Sequence, residues 1–307
     1  MVILYLTRHF LFSDDQAYLI YGAYSALVYV TPVIGGILAD RYLGARKAVT
    51  FGAVLLVLGH FGMAFEGAPT SVGAEPDPGY VQLLYLSLAL IIVGVGFLKA
   101  NISTIVGALY GPDDPRRDSG FTLFYMGINI GAFLSSILCG WIGETYGWGY
   151  GFGLAGAGML VGLATFIRGQ RHLLGCADPP SPALLRQNLG GGINREWLIY
   201  GGGVAGVIAC WQMIQYQQWI GQLLLGFGGL MLLVVVAYAL FKCAPIERDR
   251  MLVAATLMLF SILFWALFEQ AGSSLNLFTD RAVDRSVWGY EIPASVFQSL
   301  NAFFIFT

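Results

Sequence analysis

Long apolar stretches, separated by short charged segments, constrain this chain more than any other feature. The stretches near 80–110, 219–242 and 252–275 contain hardly any charged side chains. A helix needs about 20 mostly apolar residues to cross the hydrocarbon core of a bilayer. Hydrophobic residues form 57% of the 307 positions and charged residues only 11%, against roughly 25% charged residues in soluble domains. The bilayer is therefore the solvent to which this sequence is suited.

These stretches predict an all-α fold, a polytopic transmembrane helical bundle. The first stretch contains Arg8 and His9 and has no small-residue cleavage site, so we interpret it as the second half of a helix and not as a signal peptide. The predicted helices are 1–12, 17–39, 47–65, 80–110, 119–143, 149–167, 196–214, 219–242, 252–275 and a last one from about 292. The predicted longer connections are 66–79, 111–118 and 168–195.

Basic residues are distributed unevenly between the two sets of connections. If the N-terminus is cytoplasmic, the outer connections hold Arg8, Arg281 and Arg285. The inner ones hold twelve basic residues, namely Arg41, Arg46, Lys47, Arg116, Arg117, Arg168, Arg171, Arg186, Arg195, Lys242, Arg248 and Arg250. Because cytoplasmic loops carry an excess of Lys and Arg, we expect a multi-pass protein of the inner (plasma) membrane with a cytoplasmic N-terminus.

Composition and motifs argue against several other classes of protein. The cysteines are scattered without a close pair, which predicts neither a disulfide framework nor a metal site. A net charge of -2 gives no reason to expect a nucleic-acid partner. The sequence has no Gly-x-Ser-x-Gly, His-Glu-x-x-His or Walker motif. We therefore expect no enzymatic activity and no cofactor.

Two ionisable residues lie inside predicted membrane helices. Lys99 is deep in the fourth helix, and Glu269 is in the helix predicted at 252–275. A charge within a membrane span is costly and indicates a functional site by default. The alternative for Lys99 is a side chain that extends to the interface. The alternative for Glu269 is a residue at a helix end, hydrogen-bonded to Ser273 or Ser274.

Polar uncharged residues form a second group of candidates. Tyr125 and Asn129 are four residues apart, and so are Trp265 and Glu269, so each pair shares a helix face. For Asn129, a binding role and an interhelical hydrogen bond are equally compatible with the spacing. For Asn101 we favour the interhelical hydrogen bond. A tyrosine such as Tyr29 is more often a packing residue or an interface anchor.

Two pairs of glycines have the spacing that lets membrane helices approach closely. They are Gly127 with Gly131 and Gly158 with Gly162. Both pairs predict tight helix contacts, a feature common to membrane proteins in general.

Two long motifs resemble signatures of one transporter family. GGILADRYLGARKAVTFGAVLLVLG, at 35–59, contains the Asp-Arg-x-x-Gly-x-Arg-Lys loop, and FTLFYMGINIGAF, at 121–133, is similar to a Phe-Tyr-x-x-Ile-Asn-x-Gly signature. FLKANIS, FWALFEQAGSS and FQSLNAFFI follow in the family's order. The chain thus resembles the proton-dependent oligopeptide transporter (POT) family of the major facilitator superfamily. The extra helices at 196–242 are similar to an insertion in prokaryotic members.

The resemblance implies roles for individual residues. Lys99 matches a lysine that couples protons and holds the substrate carboxylate, and Glu269 matches an acid tied to gating. Other matches imply a peptide site and comprise Tyr29, Tyr125, Asn129, Trp265 and Asn301. The implied partners are di- and tripeptides, protons and the lipid bilayer. In low dielectric, desolvation and a nearby anion would shift the Lys99 pKa in opposite directions, as a proton-sensitive switch requires.

The charged loop after the second helix has two interpretations of equal weight. The family motif implies that Asp40, Arg41, Arg46 and Lys47 form a cytoplasmic latch between helices. The same residues are also expected as ordinary basic residues on the cytoplasmic side of the membrane.

The chain also departs from the family pattern. The Glu-x-x-Glu-Arg motif of the first helix and a tenth-helix glutamate have no counterpart, and Ala100 and Ala302 stand where prolines are usual. We interpret the chain as an N-terminal fragment of the fold. The predicted domains are an N-terminal bundle at 1–168 with an incomplete first helix, a cytoplasmic linker at 169–195, two inserted helices at 196–242 and the start of a C-terminal bundle at 243–307.

The leading hypothesis is proton-coupled symport of di- and tripeptides by alternating access. Two alternatives stay open at this point. One is a carrier of nitrate or another small anion in the same family, and the other is a non-transporting, truncated membrane protein.

Overall fold

The computed structural model describes residues 1–111, 113–188 and 194–306. The predicted connections 111–118 and 168–195 and the end of the last predicted helix each include residues outside these ranges. Helices dominate the described chain, in the order α1 Val2–Arg8, α2 Asp14–Leu38, α3 Ala45–Met63, α4 Pro78–Ala108, α5 Arg117–Tyr146, α6 Trp148–Gly169, α7 Pro182–Arg186, α8 Arg195–Gln215, α9 Gln217–Lys242, α10 Pro245–Phe268, α11 Ser274–Ala282 and α12 Ser299–Phe306. A two-stranded hairpin pairs β1, Ser286–Val287, with β2, Tyr290–Glu291.

Eight helices in the described part of the chain are long and apolar enough to cross a membrane. They are α2 to α6 and α8 to α10. Their bounds lie within a few residues of the predicted ones for α2 to α9. The predicted fold class, a polytopic transmembrane helical bundle, is therefore confirmed.

The short first helix lies at the centre of the core. Ile3, Leu4 and Leu6 are fully buried, and the ring of Tyr5 packs against Trp148 and Phe152 at the start of α6. The four residues Ile3 to Leu6 are therefore enclosed by neighbouring helices, whereas Arg8 at the end of α1 is exposed.

Helices α2, α3 and α4 form the most closely packed part of the bundle. A Cβ placed on Gly52 of α3 would lie 2.6 Å from the carbonyl oxygen of Gly94 on α4. Only glycine allows such backbones to approach so closely. Asn101, which is buried, donates a hydrogen bond to its own helix at Phe97 (2.8 Å) and another to Gly35 of α2 (3.4 Å). Asn101 thus forms the interhelical hydrogen bond that we expected of it.

The two extra helices pack on different neighbours. Helix α8 contacts α4 and α2, whereas α9 contacts α2 and α10. Between α6 and α8 the chain contains a 3-10 turn, Gln170–Leu173, and the short helix α7, so the predicted linker is partly helical.

The helix predicted at 252–275 differs from the observed one at both ends. Helix α10 begins at Pro245, because proline is tolerated at the first helical position and the polar turn after it continues the helix. It ends at Phe268 and is followed by a 3-10 turn, Glu269–Gly272, before α11. Glu269 is therefore the first residue of the turn that ends this helix, and it lies near the end of the candidate membrane span Pro245–Gly272.

Candidate functional site

Tyr29 of α2 and Lys99 of α4 form the first contact of the candidate site. The Lys99 ammonium nitrogen lies over the Tyr29 ring, 4.4 Å from its centroid. An ammonium at this distance is attracted by the negative face of the aromatic ring. Among the described residues Lys99 has no carboxylate within ion-pair distance. Its positive charge is therefore available to an anionic ligand.

Tyr29 also joins α2 to the residues around the end of α10. Its hydroxyl donates a hydrogen bond of 2.8 Å to Oε1 of Glu269. Its ring lies beside that of Trp265, with centroids 6.1 Å apart. The Glu269 backbone carbonyl accepts a bond from the Ser273 hydroxyl, but its side chain points to Tyr29. The structure thus brings together four of the predicted residues, and they come from three parts of the fold.

The low-dielectric setting expected of Lys99 stays a prediction. Lys99 is exposed, and Tyr29 and Trp265 are each about half-exposed at 49% and 47%. The reason is geometric, because the described helices leave this face of α2, α4 and α10 open. We call it the open face, defined by Tyr29, Lys99, Trp265 and Glu269.

Tyr125 and Asn129 lie on α5, away from the Tyr29 contacts. Asn129 is buried, and its amide nitrogen donates to the carbonyl oxygen of Tyr125 at 2.9 Å. This bond lies within one helix, so it is not an interhelical bond. The Tyr125 side chain is exposed. A role for either residue in peptide binding stays a prediction.

Asn301 and Glu269 line one cavity of about 330 Å³ beside α11 and α12. Asn276 lines it too, is 2% exposed, and has no hydrogen-bond partner among the described residues for either amide atom. Buried polar groups normally have such partners. Asn276 was not predicted as a site residue, because it follows the predicted helix 252–275 in a connecting segment. The signal was an asparagine between Leu275 and Leu277.

The four residues of the predicted latch do not act as one group. Arg46 pairs with Asp178 at 2.7 Å and Lys47 pairs with Glu196 of α8 at 2.5 Å. Asp40 and Arg41 lie in a π-helical turn, Ala39–Leu43, and neither has an ion-pair partner in the described ranges. Two of the four therefore connect α3 to the linker and to α8, and a latch function stays a prediction.

A family model described as the POT family matches residues 46–306. The chain belongs to the POT family. Its resemblance to this family, inferred from the motifs around Asp40 and Asn129, is thereby confirmed.

Characterised POT relatives and structures extend beyond this chain. It is 35% identical to the peptide transporter YePEPT of Yersinia enterocolitica, with 95% of this chain and 57% of the relative aligned. It is 33% identical to dipeptide and tripeptide permease A of Cronobacter turicensis, over 98% of this chain and 57% of the permease. The crystal structure of a mutant of a peptide transporter POT in complex with alafosfalin matches this chain with a TM-score of 0.80 and 33% sequence identity. The match covers 99% of this chain and 61% of the transporter. The chain thus spans less than two thirds of these proteins.

In this POT chain a network of ion pairs joins the first helices to the segment after α10. Arg8 pairs with Asp280 and, at 3.2 Å, with Glu144 of α5. Glu144 also accepts a hydrogen bond of 2.8 Å from the backbone of Ser295. Asp14 accepts bonds of 2.6 and 2.8 Å from Arg281, and this raises the pKa of the Arg281 guanidinium.

This network of ion pairs was not predicted from the sequence. The sequence places these residues only as charged residues of the predicted outer connections. Their pairing brings together residues that are more than 130 positions apart in the chain. The network closes the bundle at the end opposite to Arg46 and Lys47.

Proposed function

We propose that the full-length protein carries di- and tripeptides across the cytoplasmic membrane together with protons, by alternating access. The observation that carries this proposal is the contact of Tyr29 with both Lys99 and Glu269. The relatives named as peptide transporters, and the alafosfalin-bound structure, support the same class of cargo.

A short peptide is a zwitterion, so its carrier needs a cation for one end and acceptors for the other. Lys99 offers an ammonium without a carboxylate partner on the open face. We assign the peptide carboxylate to Lys99. Asn301 and Asn276 line the cavity near Glu269 and offer amide oxygens, which suits the amino end. Tyr125, Asn129 and Trp265 are assigned to the peptide's backbone and side chains.

Proton coupling follows from the bond between Tyr29 and Glu269. A hydrogen bond to an ionised carboxylate is about twice as strong as a neutral one. Protonation of Glu269 therefore weakens the connection between α2 and the end of α10. Since α2 belongs to the N-terminal helices and α10 to the second set, this loosening favours their relative movement. In this mechanism a movement of Tyr29 changes the surroundings of Lys99, because the Lys99 ammonium lies over the Tyr29 ring.

Charge distribution supports the proposed orientation. Arg46, Lys47 and Arg195 lie at one end of the helices, and Arg8, Arg281 and Arg285 lie at the other. We assign the richer end to the cytoplasm of the cell and the ion-pair network to the outer side. The protein then acts as a carrier and not as an enzyme.

The test is uptake of labelled dialanine by proteoliposomes that contain the full-length protein. With an inward proton gradient, we expect accumulation that a protonophore abolishes and that excess unlabelled dialanine inhibits. Labelled nitrate serves as the competing cargo. Uptake of nitrate without dialanine, or uptake of neither, would contradict the proposal.

A further inference from the structure

A long apolar groove runs between the inserted helix α8 and the helices α2 and α4. Its volume is about 620 Å³, and nearly all of its lining is apolar. Leu27, Ile34 and Leu38 line it from α2, and Phe97 lines it from α4. The groove lies outside the open face and shares no residue with the transport site proposed above.

Glycines on α8 keep the groove open. A Cβ placed on Gly202 would meet no described atom within 4 Å, and one on Gly206 would only meet the Val93 side chain, at 3.9 Å. Both glycines line the groove. The apolar walls of a groove of this size would gain van der Waals contacts from an apolar ligand. Its shape and chemistry therefore suit a hydrocarbon chain.

The mouth of the groove carries two arginines on one aromatic ring. The guanidinium carbon of Arg195 lies 5.5 Å from the centroid of the Tyr42 ring, and that of Arg41 lies 5.8 Å from it. Arg195 and Tyr42 both line the groove. Two positive charges thus converge at the end of an apolar channel.

Neither arginine is neutralised by a carboxylate in the described ranges. The nearby acid Glu196 pairs with Lys47, and Asp178 pairs with Arg46. Asp40, the neighbour of Arg41 in the chain, is exposed and forms no ion pair with a described residue. The mouth is therefore complementary to an anion, and guanidinium groups bind phosphate especially well.

We propose that this groove binds an anionic phospholipid, with one acyl chain between α2, α4 and α8 and the phosphate at Arg41 and Arg195. The dimensions agree. Leu27 and Leu38 are eleven positions apart, so about 16 Å of helix separates them, and one leaflet of the hydrocarbon core is about 15 Å thick. Basic pockets between membrane helices on the cytoplasmic side are a known type of site for anionic headgroups.

The proposed lipid would have a structural consequence. It would add contacts beside the direct packing of α8 on α4, which includes Gly203, the buried Ile214 and a hydrogen bond from Gln82 to Gln215. The attachment of the inserted helices would thus depend on the composition of the membrane.

The experiment is native mass spectrometry of the full-length protein in mild detergent, titrated with phosphatidylglycerol or phosphatidylcholine. We expect one retained phosphatidylglycerol and at least fivefold weaker retention of phosphatidylcholine. Gly202→Leu fills the groove, and Arg195→Gln removes one charge. Each should reduce phosphatidylglycerol retention about fivefold or more, since one basic residue near a membrane surface contributes on the order of a fivefold change in binding.

Matched controls lie close to the tested positions. Gly201→Leu places the same side chain on a neighbouring glycine that does not line the groove. A Cβ added to Gly201 would meet no described atom within 4 Å. Arg171→Gln removes an exposed arginine from the same end of the molecule. Both controls should retain phosphatidylglycerol as the unchanged protein does.

Three results would overturn the proposal. Equal retention of both lipids would show that the arginines do not select the headgroup. Full retention in Gly202→Leu, with displacement by inorganic phosphate, would show a surface anion site without an acyl chain. A change of Gly202→Leu from dimer to monomer, without any change in lipid, would assign the groove to a second copy of the chain.

Discussion

The hydroxyl of Tyr29 donates a hydrogen bond of 2.8 Å to the carboxylate of Glu269, 240 residues further along the chain. The same ring lies under the Lys99 ammonium. One tyrosine thus contacts a cation of α4 and an anion at the end of α10. In the proposed mechanism, this relationship connects the two sets of helices that alternating access would move against each other.

Removing the Tyr29 hydroxyl should impair coupling while leaving the aromatic ring in place. Tyr29→Phe keeps the contact with Lys99 but loses the bond to Glu269. A hydrogen bond to a charged group contributes about 1.5–3 kcal/mol, so we expect proton-driven dialanine uptake to fall roughly tenfold or more. The measurement is initial uptake in proteoliposomes. Tyr238→Phe, at an exposed position of α9, is the control and should transport normally.

Asn129→Ala should weaken peptide binding. Its amide nitrogen is used within α5, and the amide oxygen stays free to accept from a ligand. Loss of one such bond costs about 1 kcal/mol, which is about a fivefold rise in the dissociation constant for dialanine. Isothermal titration calorimetry measures it. Ser135→Ala removes a hydroxyl bonded only to its own helix and should have no effect. An unaltered constant for Asn129→Ala would remove this residue from the site.

The close approach of α3 and α4 predicts that a larger residue at Gly52 destabilises the protein. Gly52→Ala places a Cβ 2.6 Å from the Gly94 carbonyl oxygen, so the helices must separate. Overpacking of this kind costs about 1–3 kcal/mol. We expect a lower melting temperature in detergent. Gly127→Ala is the matched control, because its Cβ would meet no described atom within 4 Å. Equal melting temperatures for the two variants would contradict the close contact between Gly52 and Gly94.

The ion pairs at the end of the bundle that holds Arg8 and Arg281 should differ in importance because their burial differs. The Asp280 side chain is 8% exposed and contacts Arg8 and Arg285, whereas Asp14 is 42% exposed and contacts Arg281. Loss of a buried partner leaves charges uncompensated, but exposed pairs contribute only about 0–1 kcal/mol. We expect Asp280→Asn to open this end and Asp14→Asn to leave it closed. Spin-label distances across α1 and α11 would show the difference, and equal distances in both variants would contradict it.

Much of the fold was predictable from the sequence because the bilayer demands long apolar helices. The bounds of the long helices α2 to α6, α8 and α9 followed from apolar length alone, whereas the short helix α7 lay in the predicted linker. The end of α10 was not predicted from the sequence, because the turn after Phe268 contains no proline or cluster of charges. Glycine spacing was also a poor guide. A Cβ added to any of the four predicted glycines would meet no described atom within 4 Å; these are Gly127, Gly131, Gly158 and Gly162. The tight contact lies instead between Gly52 and Gly94.

The candidate site was predictable in its members but not in its contacts. Lys99 and Glu269 were conspicuous because a charge in an apolar helix is costly. That Tyr29 would lie between them required the packing of α2 against α10. Asn276 and the pairing of Arg8 with Asp280 were missed for the same reason, since contacts between distant segments leave no periodic pattern in the sequence.

The central claim is that proton-driven peptide movement requires the Lys99 ammonium, which contacts the same Tyr29 ring that binds Glu269. The most direct measurement is proton-driven accumulation of labelled dialanine by the full-length protein with Lys99→Ala, beside Lys242→Ala at the end of α9 as the control. The account predicts that Lys99→Ala abolishes accumulation while inserting into the membrane in normal amounts, and that Lys242→Ala accumulates dialanine normally. Unchanged accumulation by Lys99→Ala would contradict it.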